Sequence, residues 1–397
     1  MINRAIPPQI FTISHIDFQA PEIDTLANQV RVFSIRKTSD ETVRIDFVFD
    51  AGSLKTSKVI SQLTGELLLS GSAHKSSDEI AEEIDRLGGF TGINVSAEKA
   101  IISVIGLREH IVDITKIVVN AMLNVNFNPK EINQLVQSKK KKMAINLEKV
   151  STQARRAFLS NLFENSPYGD LVELTDYDHV DQQDLIEFHQ QKYLSGLQYI
   201  SIVGALKDEG LNAIKVLGNQ FGKDEVTEMD YNYSYVPSIL HIEKEQALQT
   251  AIRIGRILFN KQHVDFKKFS VVNTILGGYF GSRLMTSIRE DKGYTYGIGS
   301  GIVQLLETGY FFISTEVGKE FKDLTLAAIK EEITLLQTEE VSEMELNLVK
   351  NYMIGQILQQ SDGAQAMMDR FISVETYKLD LSYYDDFIKQ INEITPK

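Results

Sequence analysis

The order strand, helix, helix, strand, strand, helix, helix is legible twice in this chain at an offset of roughly 210 residues, and a repeat on that scale argues for a pair of like domains, the alternative being two unrelated α+β domains whose order coincides. In the first half Val43–Phe49 alternates as a half-buried strand does, and Lys58–Ser70 and Ser77–Leu87 carry helical periodicity. Gly92–Leu107 reads as a hairpin, followed by helices at Glu109–Leu123, Asn128–Glu148, Thr152–Phe163 and Gln182–Tyr193 and by the apolar strand Tyr199–Val203. From about Pro237 the order restarts: strand Thr250–Leu258, helices Phe266–Leu276 and Ser282–Asp291, strands Tyr294–Ser300 and Gly309–Val317, helices Phe321–Gln337 and Ser342–Gln360. Lys130-Glu131-Ile132-Asn133 overlays Met344-Glu345-Leu346-Asn347. The expectation is an α+β fold of two duplicated domains, 1–217 and 237–397, joined by a polar, acidic linker at 218–236. Each domain is expected to be an antiparallel-rich mixed sheet with helices packed on one face.

With 397 residues, 43% of them apolar, the chain can bury two full cores. Its net charge of −13 argues against a nucleic-acid partner, which requires clustered basic residues, and suits a basic or extended peptide better. The absence of cysteine removes disulfides, thiolate metal sites and a cysteine nucleophile. Met1–Asp17 carries no apolar core of the kind a secretory signal needs, and no stretch approaches a membrane span. A soluble, cytoplasmic chain with no membrane association is expected, with a periplasmic location left open if the N-terminus has been trimmed.

The segment Ile60-Ser61-Gln62-Leu63-Thr64-Gly65-Glu66-Leu67-Leu68-Leu69-Ser70-Gly71-Ser72, followed by the helix Ser77–Leu87 and by Gly88-Gly89, resembles the pitrilysin-type zinc endopeptidases, which include insulin-degrading enzyme and the mitochondrial processing peptidase. The signature of that family is His-x-x-Glu-His on a helix ahead of such a Gly-Ser, helix, Gly-Gly succession, and the resemblance implies a metallohydrolase fold of the processing-peptidase type. Here the five positions read Gln62, Leu63, Thr64, Gly65 and Glu66. Zinc hydrolysis needs two imidazoles four residues apart on one helical face, with a carboxylate to take a proton from the metal-bound water. Gln62 and Gly65 supply neither, and Glu66 puts a carboxylate where the second histidine belongs. The family's third ligand, a glutamate roughly 75 residues downstream, falls in the run Lys139–Lys142, with Lys142 taken as the position. An ammonium has no lone pair to offer a metal and repels it. The expectation is no metal and no cofactor in this chain.

The segment Gly277-Gly278-Tyr279-Phe280-Gly281-Ser282-Arg283-Leu284, continuing to Arg289 and Tyr296, is similar to the family's second-domain signature, which carries an Arg and a Tyr seven residues apart. In the family these reach the zinc site in the opposite half, where the tyrosine hydroxyl donates to the oxyanion and the guanidinium holds substrate backbone or steadies the tyrosine. Taken singly, Arg289 reads as a helix residue paired with Glu290 or Asp291, and Tyr296 as a half-buried strand aromatic. The family's Asn-Ala pair on the strand after Gly-Gly is replaced by Gly92-Ile93, which weakens substrate clamping by the first domain. Glu98 matches a family glutamate on that strand.

Other features carry less. The seven histidines, His15, His74, His110, His179, His189, His241 and His263, include no pair four apart. Lys139–Lys142 reads as a solvated helix face, and Asp78, Glu79, Glu82 and Glu83 as N-terminal helix charge behind a serine cap. The resemblance therefore implies a zinc-free subunit that pairs with a separate zinc-bearing homologue, supplies Arg289 and Tyr296 in trans, and acts with it on short or unfolded peptides. The alternative is a non-enzymatic, self-associating scaffold or peptide-binding homodimer.

Overall fold

A computed structural model describes residues 13–224, 233 and 236–396. Residues 1–12 of the N-terminal segment, and most of the proposed linker at 218–236, lie outside the described residues. The chain divides into two compact units, of which the first holds Ala20–Ile257 with Glu316–Lys319. The other comprises Leu258–Thr315, Glu320–Lys397 and the N-terminal segment through Gln19.

The first unit is built on a six-stranded mixed sheet. Its strands are β1 (Glu22–Thr25), β2 (Arg31–Ile35), β3 (Thr42–Phe49), β4 (Phe90–Val95), β5 (Ala100–Leu107) and β6 (Leu197–Val203), ordered β1-β2-β6-β3-β5-β4. Only β2 and β6 run parallel. Strand alternation sends Val43, Ile45, Phe47 and Phe49 of β3, Ala100, Ile102 and Val104 of β5, and Ile200 and Ile202 of β6 into one core. The opposite face of these strands is mixed: among Val48, Ile101, Ile105 and Val203, Asp46 accepts from the hydroxyls of its cross-strand neighbours Ser103 (2.6 Å) and Ser201 (3.2 Å).

The core is completed by α1 (Lys58–Leu67), α2 (Ser77–Arg86), α3 (Ile111–Leu123), α4 (Pro129–Leu147), α5 (Val150–Leu162), α6 (Gln182–His189) and α7 (Asp208–Gly218). A turn of π-type winding, Gln190–Leu194, extends α6. The start of α2 is a capping box, in which the Ser76 hydroxyl accepts from the Glu79 N–H and the Glu79 carboxylate accepts from the Ser76 N–H. Its end requires glycine. Gly88 sits at φ +66°, its N–H bonds to the Asp85 carbonyl, and the Gly89 N–H reaches back to Ile84, so β4 leaves the helix at a fixed angle. The strand β7 (Gln249–Leu258) follows; ahead of it, Lys244 holds Glu148 (2.6 Å) and Ser238 holds Asn161 (2.8 Å). These ties draw 236–257 into the first unit, so the compact units part at Ile257 rather than at 237.

The second unit contains α8 (Phe266–Asn273), a π-type turn Thr274–Gly278, a π-wound helix Met285–Asp291, the hairpin β8 (Ile298–Gln304) and β9 (Gly309–Gly318), α9 (Lys322–Thr338), α10 (Glu343–Gln359), α11 (Gly363–Glu375) and α12 (Ser382–Glu393). Its core joins Val271 and Ile275 to Leu346, Val349, Met353 and Ile357 of α10 and to Tyr384, Ile388 and Ile391 of α12. Residues 13–19 belong here because His15 pairs with Asp385 (2.8 Å) and Phe18 packs on Tyr384. The duplicated order of elements is present, with α5, α6, α7, α11, α12, β1, β2 and β6 standing outside the seven-element repeat. No helix among the described residues is long and apolar enough to cross a membrane.

Lys261 is the second unit's one strongly shifted amine among the described residues. It donates to the Ser373 carbonyl (3.0 Å) near the end of α11, with the Ser373 hydroxyl at 2.7 Å and the Tyr377 ring centroid at 5.0 Å. Burial, with Arg370 nearby, brings its pKa from 10.5 down to about 8. The unfolded chain therefore keeps this proton after the folded chain has released it. The penalty for burying the charge is present in full below about pH 8 and fades as pH rises toward about 10, so this group makes stability rise with pH across that window. Denaturant melts between about pH 8 and about pH 9.5 are expected to show that rise, and Lys261→Met to flatten it.

Candidate functional site

The helix α1 is positioned by its own residues. The Ser57 hydroxyl caps it by accepting from the Val59 N–H, and Val59, Ile60, Leu63, Thr64 and Leu67 are buried. This face rests against α6 and β4 and places the five signature positions at the edge of the sheet. The first position, Gln62, is exposed. Its neutral amide is not a base and has no imidazole nitrogen to offer a metal.

Gly65, at the place of the catalytic carboxylate, is buried. A Cβ there would lie 2.4 Å from Val95 Cγ2 and 2.9 Å from the Tyr193 hydroxyl, both closer than van der Waals contact allows. The volume that a glutamate side chain would need is thus filled by a β4 methyl and a tyrosine. The Tyr193 ring is fully buried against Phe49 (5.3 Å between centroids) and Phe188 (6.2 Å), and stacks on His189 (6.2 Å). Burial pushes its phenol pKa well up, and its hydroxyl has no hydrogen-bond partner. His189, whose ring nitrogen lies 2.8 Å from the Met122 carbonyl, is held below the ordinary histidine range by burial.

Glu66 is half-buried and receives a hydrogen bond from the Lys139 ammonium on α4. Tyr177 lies close enough for the Glu66 charge, together with burial as the larger cause, to raise its phenol pKa. Lys142 is exposed, Lys140 pairs with Asp178 (2.6 Å), and Lys139 faces Glu66. Carboxylate and ammonium neutralise each other where a metal site would gather neutral imidazoles and an anion. The residues present do not fit zinc: an amide, a residue without a side chain, a carboxylate already paired, and a cation. Among the described residues, no group of three or more His, Asp or Glu side chains is placed to hold a metal ion.

The edge strand β4 pairs with β5 through Gly92–Ser103 and Ile93–Ile102 and ends the sheet order. Ile93 and Val95 turn toward α1, whereas Phe90 is 65% exposed. Glu98 stands in the β4–β5 turn rather than on a strand, and its carboxylate accepts from the Tyr168 hydroxyl at 2.6 Å.

In the second unit, Arg289 lies on the π-wound helix. Its guanidinium carbon stands 4.6 Å from the centroid of the exposed Phe280 ring, with Glu290 at 3.6 Å. Tyr296 is not a half-buried strand residue: it is 96% exposed and precedes β8. The strand starts late because Gly293 turns the chain at φ +65° and Thr295 Oγ1 accepts from the Gly297 N–H at 3.1 Å. The Thr315 hydroxyl, 2.9 Å from Thr295 Oγ1 and 3.0 Å from the Gly297 carbonyl, pins this loop, and Tyr294 stacks on Phe321 at 4.9 Å. Arg283 grips Glu345 of α10 with two 2.8 Å bonds, which also raise its pKa, and so fixes the helix that carries Arg289. Tyr296 is therefore a free side chain on a tethered backbone.

Residues 31–176 match the family described as Insulinase (Peptidase family M16), and residues 179–353 match that described as Peptidase M16 inactive domain. An uncharacterized zinc protease of Bacillus subtilis, YmxG, is 22% identical over 381 residues, covering 93% of this chain and 91% of its own length. The crystal structure of a peptidase M16 inactive domain from Pseudomonas fluorescens superposes with a TM-score of 0.82 at 21% identity, covering 96% of this chain and 93% of that one. That of a protease from Helicobacter pylori gives 0.82 at 15% identity, covering 95% and 94%.

Three substitutions test the packing at the signature helix. Gly65→Glu is expected to lower stability by about 1–3 kcal/mol, the usual cost of overfilling a packed site, and Val95→Ala in the same chain to recover part of it in thermal melts. Tyr193→Phe removes an unsatisfied buried hydroxyl. It should leave stability unchanged or raise it by up to about 1 kcal/mol, whereas a loss would mean that the hydroxyl has a partner.

Proposed function

Because the chain belongs to the M16 family of pitrilysin-type peptidases, in a form that lacks the His-x-x-Glu-His motif, we propose that it is the zinc-free subunit of a two-chain metalloendopeptidase. On this reading a separate zinc-bearing homologue supplies the metal and the general base. This chain supplies Arg289 and Tyr296 in trans, and the substrates are short or unfolded peptides.

The observation that carries the proposal is the contrast between the two signature regions. At one, the first position is an exposed amide, the place of the base is closed by packing at Gly65, and Glu66 is taken up in an ion pair with Lys139. At the other, a tyrosine 96% exposed is mounted on a loop pinned by Thr295 and Thr315, seven residues after an arginine whose helix is anchored through Arg283 and Glu345. A side chain exposed to that degree contributes little to this chain's own stability. Its phenol and the Arg289 guanidinium are the donors that a tetrahedral oxyanion and an extended peptide backbone would call on.

The chain alone is expected to leave a quenched fluorescent peptide uncut, and to raise the activity of its zinc-bearing homologue on mixing. Arg289→Ala or Tyr296→Phe should each lower the activity of the mixture by about 10- to 1000-fold, the range for losing one oxyanion donor, without changing the stability of this chain. Equal activity with and without either substitution would favour a non-enzymatic scaffold or peptide-binding homodimer.

A further inference from the structure

We infer that the Glu66–Lys139 ion pair has taken over the metal's place as the tie between α1 and α4, with Lys139 at the position of the third ligand. The inference rests on reading Gln62–Glu66 as a former metal-binding helix.

Three observations lead to it. Glu66 is the last of the five signature positions, and the Lys139 ammonium meets it across α1 and α4, helices that pack on each other. A metal held by α1 and by a later helix would tie those same two elements together. Here the cation belongs to the chain itself, and its anionic partner has moved from the later helix to α1. Second, the pair is sheltered: the Lys139 and Glu66 side chains are 16% and 31% exposed. Within the lysine run, Lys140 is turned to Asp178 and Lys142 to solvent. Third, the neighbouring signature position is closed by Val95 and Tyr193, so that α1 is held from two sides, by packing at Gly65 and by charge at Glu66.

An ion pair is a different kind of tie from a metal. It needs no loading, it forms as the chain folds, and losing either partner strands a sheltered charge. It also brings no Lewis acid and no activated water. A chain built this way keeps α1 and the edge strand β4 in place in any metal supply while doing no hydrolysis of its own.

The test exchanges one tie for the other. The unmodified chain, the triple variant Gln62→His/Glu66→His/Lys139→Glu, and a counterpart with Lys142→Glu in place of Lys139→Glu are titrated with zinc against a chromophoric chelator. The Lys139→Glu triple variant is expected to take up one zinc at least about 100-fold more tightly than its counterpart, and to melt at a higher temperature with zinc than without. It should remain without peptidase activity, because residue 65 still has no base. Tight zinc binding by the unmodified chain would overturn the zinc-free reading itself. A zinc-free unmodified chain with the Lys142→Glu version binding as well or better, or with neither version binding, would overturn the inference and leave that reading standing.

Should the triple variant not fold, the reversed pair Glu66→Lys/Lys139→Glu decides the matter by hydrogen exchange. The account expects either single change to speed exchange in α1 by about tenfold or more and the double change to restore protection. No restoration would contradict it.

Discussion

The first unit depends on the close approach of α1 to the edge strand β4, and that approach depends on a residue with no side chain. Gly65 lets Val95 and the Tyr193 hydroxyl come within distances that no Cβ tolerates. Tyr193 in turn seals the end of a core built on Phe49 and Phe188. The same contact that packs the helix removes the space for a general base. Structure and loss of chemistry are thus one fact at this position, and an unsatisfied hydroxyl is its visible cost.

Electrostatics complete what packing begins. Zinc sites collect neutral imidazoles and carboxylates so that a divalent charge is balanced within a few ångströms. At Glu66 the balance is already met by Lys139, with Tyr177 alongside. In the second unit the reverse holds. Arg283 and Glu345 consume each other's charge in a supporting role, and Arg289 is stacked on Phe280 with only a long contact to Glu290. One signature region has been internally satisfied while the other still presents donors to solvent.

Much of the fold was legible because it is periodic. The strand at 43–49, the helices at 58, 77, 129, 322 and 343, and the two hairpins stand within a few residues of their sequence positions. The short strands Glu22–Thr25 and Arg31–Ile35 were not, since four or five residues with mixed polarity carry too little alternation, and the turn between them uses Gln29 at φ +65°. The helices Gly363–Glu375 and Ser382–Glu393 follow the last element of the repeat legible in the sequence, and lie beyond that reading. Tyr294–Ser300 has the β-branched and aromatic content of a strand, yet Gly293 and the Thr295 turn hold Tyr296 out of the ladder. At the site, the lost ligands could be read directly from Gln62, Gly65 and Glu66. Which of four consecutive lysines faces Glu66 could not, because each step along a helix turns about 100° and only packing fixes the phase. Tyr193 carries no motif at all; only the fold brings it to Gly65.

The signature helix holds the chain's own groups at Gly65 and Glu66 and leaves no vacancy there for a catalytic ion. Crystals of the unmodified chain grown in zinc and measured across the zinc absorption edge test it most directly. The account predicts no anomalous peak beside Glu66 and the Lys139 ammonium on its carboxylate; a zinc peak ligated by Glu66, with Lys139 turned away, would contradict it.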